Sequence, residues 1–243
     1  MNWRLAFLVA LVAIPGPIAI SWLALPILID TDNLSVPLQT LQIATAAQSI
    51  VLVALAAGLG TFLSAKVGLR APVLTAIAKR GDFLSAFAPQ LVPGVIGGIF
   101  GAAVIVGFYE FSPVELVAVQ GTGSIPLAAR ILYGGVTEEV LIRWGLMTSL
   151  VWVAWRVLQR GEGAPSGAVV WLGIGISALL FGVSHVPSVV AGMGSVPMAI
   201  IAYITFGNAL FGLVAGHLFW RYGLEAAMTA HVLAHLIAYG IHG

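Results

Sequence analysis

Residues Gly163–Trp220 read GAPSGAVVWLGIGISALLFGVSHVPSVVAGMGSVPMAIIAYITFGNALFGLVAGHLFW, without one Asp, Glu, Lys or Arg. A membrane-crossing helix takes ~20 apolar residues, so this run is too long for one helix. Pro187, Gly192, Gly194 and Pro197 mark where it folds back, which makes it two spans. On its amino-terminal side, Leu5–Ile29 and Leu38–Ala65 are uncharged and each is long enough to cross a bilayer. A third span is expected within Phe83–Tyr109, after Pro93, and a fourth from about Pro126 to Trp155 around a charged cluster. A further span runs from about Leu224 to Ile241. Residues 66–92 or 110–125 have room for an eighth, re-entrant or surface helix.

Composition agrees. The chain has 243 residues, 60% of them hydrophobic and 8% charged, with a mean hydropathy of +1.07. Soluble domains are about 25% charged. The apolar runs do not alternate and far exceed the ~10-residue strands of a membrane barrel, so helices are expected. The fold class is therefore all-α: a polytopic bundle of seven or eight spans with a polar intramembrane cavity, one integral membrane domain over residues 1–243. Ten basic and nine acidic side chains nearly cancel, which gives nucleic acid nothing to bind. The partner is the lipid bilayer. The absence of cysteine excludes disulfides and thiol catalysis.

Arg4 precedes the first apolar run, whose length exceeds the ~7–15 residues of a cleavable signal core, so an uncleaved signal anchor is expected. Arg4, Lys66, Arg70, Lys79, Arg80, Arg156, Arg160 and Arg221 all fall on one side, and Asp30, Asp32, Glu110 and Glu115 on the other. The positive-inside rule then puts the amino terminus in the cytoplasm, and a prokaryotic cytoplasmic membrane is the expected location. Arg130 and Arg143 alone break the pattern, and both belong to the fourth span.

That span carries YGGVTEEVLIRWGL, with Glu138, Glu139 and Arg143. A charge at the bilayer centre costs at least ~2.5–3.5 kcal/mol, so three together need partners, and usually a function. Glu139 and Arg143 are i and i+4, able to pair on one helical face. Glu138 points about 100° away, free to face a cavity. His185 follows Phe181 by four residues in FGVSH, and His231 and His235 share a helical face in HVLAH. Paired imidazoles at that spacing suit metal ligands or hydrogen-bond donors, although H-x-x-x-H without the intervening Glu is not the zinc-protease motif. His217 sits beside Trp220 and Arg221 at an interface, and His242 is penultimate. Gly212-x-x-x-Gly216 reads as a close helix contact, and Asn208 as a cavity or helix-bonding residue.

In this order, Glu138-Glu139-x-x-x-Arg143, Phe181-x-x-x-His185 and His231-x-x-x-His235 resemble the motifs of the CPBP intramembrane proteases. These include Rce1-type CAAX prenyl endopeptidases and the Abi and lysostaphin-resistance proteins. The resemblance implies an intramembrane endopeptidase core over about residues 126–241, with spans 5–109 as scaffold. It implies that Glu138 and His185 activate water, that Glu139 and Arg143 support the first glutamate, and that His231 and residue 235 line the oxyanion side. The family usually has Asn at the last position, where this chain has His235.

Amide hydrolysis needs a base for water, an acid for the leaving amine and a donor for the oxyanion, and these side chains supply all three. No cofactor is the preferred expectation. The alternative is a metalloendopeptidase with a divalent metal such as zinc on Glu138, His185, His231 and His235. The expected substrate is a membrane-anchored or lipidated peptide or protein. The polar residues are expected to converge on one cavity, open toward the cytoplasm or laterally to lipid. Two rival functions use the same residues: a non-catalytic scaffold or bacteriocin-immunity-type protein, and an ion-coupled carrier. A carrier would favour polar breaks in both halves, whereas here they gather in the second.

Overall fold

A computed structural model describes residues 2–29, 31, 34–120, 125–190 and 195–242. Asp30, Asp32, Gly192 and Gly194 lie outside the described residues, as does the side chain of His242. Among the described residues the helices, in chain order, are α1 (Trp3–Leu28), α2 (Leu38–Val67), α3 (Pro72–Ala78), α4 (Phe83–Glu110), α5 (Val114–Gln120), α6 (Leu127–Leu158), α7 (Gly167–Val189), α8 (Met198–Arg221) and α9 (Leu224–His242). α1, α2, α4, α6, α7 and α8 are long and apolar enough to cross a membrane. α9 has 19 residues, on the order of 28 Å at 1.5 Å each. The chain is an integral membrane protein with a polytopic helical fold. The two stretches with room for an extra helix each hold a short one, α3 and α5.

The third span starts earlier than expected. α4 begins at Phe83 and runs through both Pro89 and Pro93. Asp82 starts it, accepting hydrogen bonds from the backbone N–H groups of Leu84 (3.0 Å) and Ser85 (3.1 Å). The Ser85 hydroxyl also donates to this carboxyl, and these bonds to Ser85 hold it below the usual carboxylate range. A strong cap and neighbouring helices outweigh the two missing proline N–H groups.

Proline leaves a more telling mark in α1. Pro17 has no N–H to offer the carbonyl of Ala13, four residues earlier. The Thr137 hydroxyl of α6 donates to that carbonyl instead, at 2.6 Å. A backbone defect in one span thus becomes an anchor for another.

Small residues set the remaining contacts. α9 lies along α4 against Gly94, Gly97, Gly98 and Gly101, and a Cβ on Gly98 would stand 2.6 Å from that of Leu233. α7 and α8 meet as the small-residue spacing predicts: a Cβ on Gly212 would lie 3.0 Å from the Cα of Ala178, and one on Gly216 2.9 Å from Ile174 Cγ2. Trp144 of α6 is fully buried, and its indole N–H is shared by Ala57 O and Thr61 Oγ1 of α2, both at 3.3 Å.

The start of α9 is tied to α3. Leu224 N–H donates to Arg70 O at 3.0 Å, Glu225 Oε1 accepts from Leu74 N–H at 2.8 Å, and Gln90 Oε1 accepts from Ala226 N–H at 3.0 Å. This end of the bundle also holds Lys66 and Arg221. At the other end Leu116 packs on Ile200 and Ile204, with Val186 and Val189 alongside.

Candidate active site

The site begins with an unusual backbone. Residues Arg130–Thr137 and Glu139–Met147 of α6 form wide π-helical turns with i→i+5 bonding. The Thr137 and Thr148 hydroxyls follow this register, reaching the carbonyls of Leu132 (3.2 Å) and Arg143 (3.2 Å) five residues back. Such turns concentrate at functional sites. Nothing in the hydrophobic pattern signals them. Gly134 and Gly135 let α9 come close to this segment. A Cβ on Gly134 would lie 2.6 Å from His235 Nε2, and one on Gly135 2.5 Å from Val232 Cγ2.

At the centre, Glu139 is fully buried and Arg143 is 1% exposed. Arg143 Nη1 stands 3.2 Å from Glu139 Oε1, the i,i+4 pair that the spacing allows. His231 of α9, 4% exposed, donates from Nδ1 to the same oxygen at 2.7 Å. The Arg143 guanidinium carbon lies 4.6 Å from the centre of the Phe181 ring of α7. His231 and Phe181 stand edge to face with ring centres 6.0 Å apart, and the Phe211 ring of α8 is centred 4.6 Å from that of His231. His235 stacks on His231 at 4.8 Å, and Tyr239 follows at 5.7 Å from His235. Four helices therefore meet around one carboxylate. Glu139 Oε2, Arg143 Nη2 and His235 Nδ1 are buried with no hydrogen-bond partner among the described residues.

Glu138 has a different environment. It is half-buried and forms no hydrogen bond or ion pair among the described residues. Its charge acts on Tyr133, five residues earlier and so one π turn away, and on Arg143. Of the adjacent glutamates, Glu139 is held from two sides and Glu138 has no bonded partner among the described residues.

His185 ends the straight part of α7. Its Nδ1–H donates to Phe181 O at 2.8 Å, so it turns back on its own helix and makes no direct hydrogen bond to Glu138. A backbone carbonyl can only accept, which fixes the tautomer and leaves Nε2 with the lone pair in the neutral ring. α7 starts at Gly167, so His185 sits near the far end of its span while His231 lies deeper. Phe181 bridges the two depths, with its ring 4.7 Å from His185 and 6.0 Å from His231.

The other sequence candidates lie elsewhere. His217 is stacked on Trp171 at 5.7 Å and edge-on to Trp220 at 6.0 Å. Asn208 donates to Ile204 O of its own helix at 2.9 Å. Phe211, Tyr239 and the glycine pair Gly134–Gly135 were not singled out from sequence. Tyr239 had a usable signal, lying four residues after His235 on the same helical face.

Metal-ligating histidines commonly donate their other ring N–H to a carboxylate or carbonyl, as His231 and His185 do here. The placement does not follow through. Among the described residues no three His, Asp or Glu side chains gather closely enough to hold a metal ion. As placed, Glu138, His185, His231 and His235 do not make a ligand set.

The family model described as type II CAAX prenyl endopeptidase, Rce1-like, matches residues 120–237. That stretch holds α6, α7, α8 and α9 as far as Ile237, with every motif residue named above. That stretch, just under half of the chain, is similar in sequence to this family. No curated protein and no solved structure matches the chain.

Proposed function

Because residues 120–237 match the Rce1-like family model, we propose that the protein hydrolyses a peptide bond of a membrane-anchored or lipidated peptide or protein, using water activated by Glu138 and no metal. The observation that carries this reading is convergence. Glu139, Phe181 and His231, from three motifs far apart in sequence, share one buried neighbourhood with bonds of 2.7 and 3.2 Å at its centre.

The roles divide by environment. Glu139 Oε1 is occupied by Arg143 and His231, so this carboxylate positions rather than reacts. Glu138, unpaired beside it, takes the proton of the attacking water and later returns it toward the leaving amine. His185 assists through Nε2, the nitrogen its bond to Phe181 O leaves available. His231 presents Nε2 in the same way, because Glu139 holds Nδ1–H; this is the carboxylate–imidazole logic of acyl-transfer sites. A proton taken up from solvent, separate from the one Glu138 removes from water, makes that nitrogen an N–H donor for the oxyanion, and His235 stacked on it supplies a second. Proton transfer of this kind is worth about 10²–10⁴-fold, and one oxyanion donor about 10²–10³.

The N-terminal spans 5–109 act as scaffold to a core at 126–241, and the basic loops with the amino terminus lie on the cytoplasmic side. On that orientation the row His231, His235, Tyr239 leads away from the cytoplasm. A purely cytoplasmic opening does not fit such a row.

Protein reconstituted in liposomes and offered a library of membrane-anchored peptides tests the reading, with a strong chelator in one arm. Cleavage should survive the chelator. His235→Asn keeps an N–H donor but is a poor transition-metal ligand, so it should retain substantial activity. A chelator-sensitive wild type, restored by zinc and crippled by His235→Asn, would overturn the metal-free mechanism. Gly134→Ala provides a second check. Its methyl group would displace the end of the His235 side chain rather than backbone. It should therefore lower kcat/KM at least tenfold with little change in thermal midpoint.

A further inference from the structure

Ten Lys and Arg residues stand in this chain, and two of them, Arg130 and Arg143, depart from the one-sided distribution. Arg143 has Glu139. Arg130 has no carboxylate partner among the described residues. Extending into headgroup water is what such a residue commonly does. Here the side chain is half-buried and held inward: its guanidinium carbon lies 3.8 Å over the Tyr239 ring, and Nε–H donates to Ile125 O at 3.0 Å. One face and one N–H are used. The terminal pair of amino groups, the fork that grips a carboxylate with two parallel bonds, has no partner among the described residues.

The position is specific. Tyr239 is 5.7 Å from His235, which stacks 4.8 Å from His231, so Arg130 ends the row that starts at Glu139. Its charge is close enough to act on His235. We propose, resting on the endopeptidase reading above, that Arg130 is a substrate-recognition residue that binds a carboxylate of the peptide. Arg130 precedes Glu139 by nine residues in α6, on the order of 10–13 Å along the axis. An extended peptide advances about 3.3 Å per residue. The carboxylate therefore belongs roughly three or four residues from the scissile bond. A chain-terminal carboxylate and an Asp or Glu side chain present the same chemistry at that distance.

Binding tests this without turnover. The full chain carrying Glu138→Gln, in nanodiscs, is titrated with N-dodecanoyl peptides of randomised interior. One set ends in a free carboxylate, one in a carboxamide, and one in a carboxamide preceded by Asp. The free-acid set, the Asp set or both should bind at least tenfold more tightly than the plain amide, and which of them does identifies the source of the carboxylate. Adding Arg130→Gln should reduce the anionic sets to the amide level, with Arg130→Lys intermediate because it keeps the charge without the fork. In the active background, Arg130→Gln should raise KM for the preferred set at least tenfold and leave kcat within about threefold. Equal binding of all three sets before the Arg130 change, or an unchanged preference after it, would overturn the assignment. Arg130-dependent binding by a wild-type chain that cleaves nothing would refute the endopeptidase reading and leave the recognition site standing.

Discussion

Replacing Glu138 by Gln should abolish peptide hydrolysis and leave the protein folded. The amide has the shape of the carboxylate but cannot take a proton from water, so the loss should exceed the ~10²–10⁴-fold typical of general-base catalysis. Stability should hold because Glu138 is half-buried and unpaired among the described residues, so no buried partner is stranded by the change. Expression yield and thermal midpoint in detergent near wild type, with turnover lost, is the expected pattern. Wild-type turnover in this variant would remove Glu138 from the mechanism.

Arg143→Ala should behave in the opposite way and lose the fold along with the activity. It leaves the fully buried Glu139 carboxylate without its cation and takes the guanidinium from the Phe181 ring. Breaking one partner of a buried pair costs about 3–5 kcal/mol in proteins generally, a large part of the stability of a domain. Glu139→Gln should be destabilised in the same direction, though its amide oxygen can still accept from His231 Nδ1–H. Thermal midpoints of the three variants separate the roles: Glu138→Gln near wild type, Arg143→Ala far below. Equal midpoints for Glu138→Gln and Arg143→Ala would mean that the Glu139–Arg143 pair is not what holds these helices.

The spans were legible because hydropathy and length report directly on the bilayer. Gly212 and Gly216 were legible for a similar reason: small residues one turn apart have few uses other than close approach. The Glu139–Arg143 pair followed from helical spacing, and the structure shows it at 3.2 Å. The missing parts depend on tertiary context. The π turns of α6 exchange one hydrogen-bond register for another, which leaves no trace in composition, and they make a fixed 100° per residue a poor guide to where Glu138 points. Pro93 suggested a late start to α4 because proline ends helices in water, whereas the Asp82 cap and the packing of α9 carry the helix through it. The depth mismatch between His185 and His231 has its answer in Phe181, whose ring touches both. Sequence placed that phenylalanine beside His185 but had no means of placing it beside His231.

In the proposed mechanism this chain cuts membrane-anchored peptides with water activated by Glu138. Mass spectrometry of new carboxyl termini in membranes incubated in ¹⁸O-labelled water addresses it directly, comparing cells that express wild type with cells that express Glu138→Gln. A set of new termini carrying one ¹⁸O is expected from the wild-type membranes and not from the Glu138→Gln membranes, even though both proteins accumulate equally. The same labelled termini in both samples, or none in either, would contradict it.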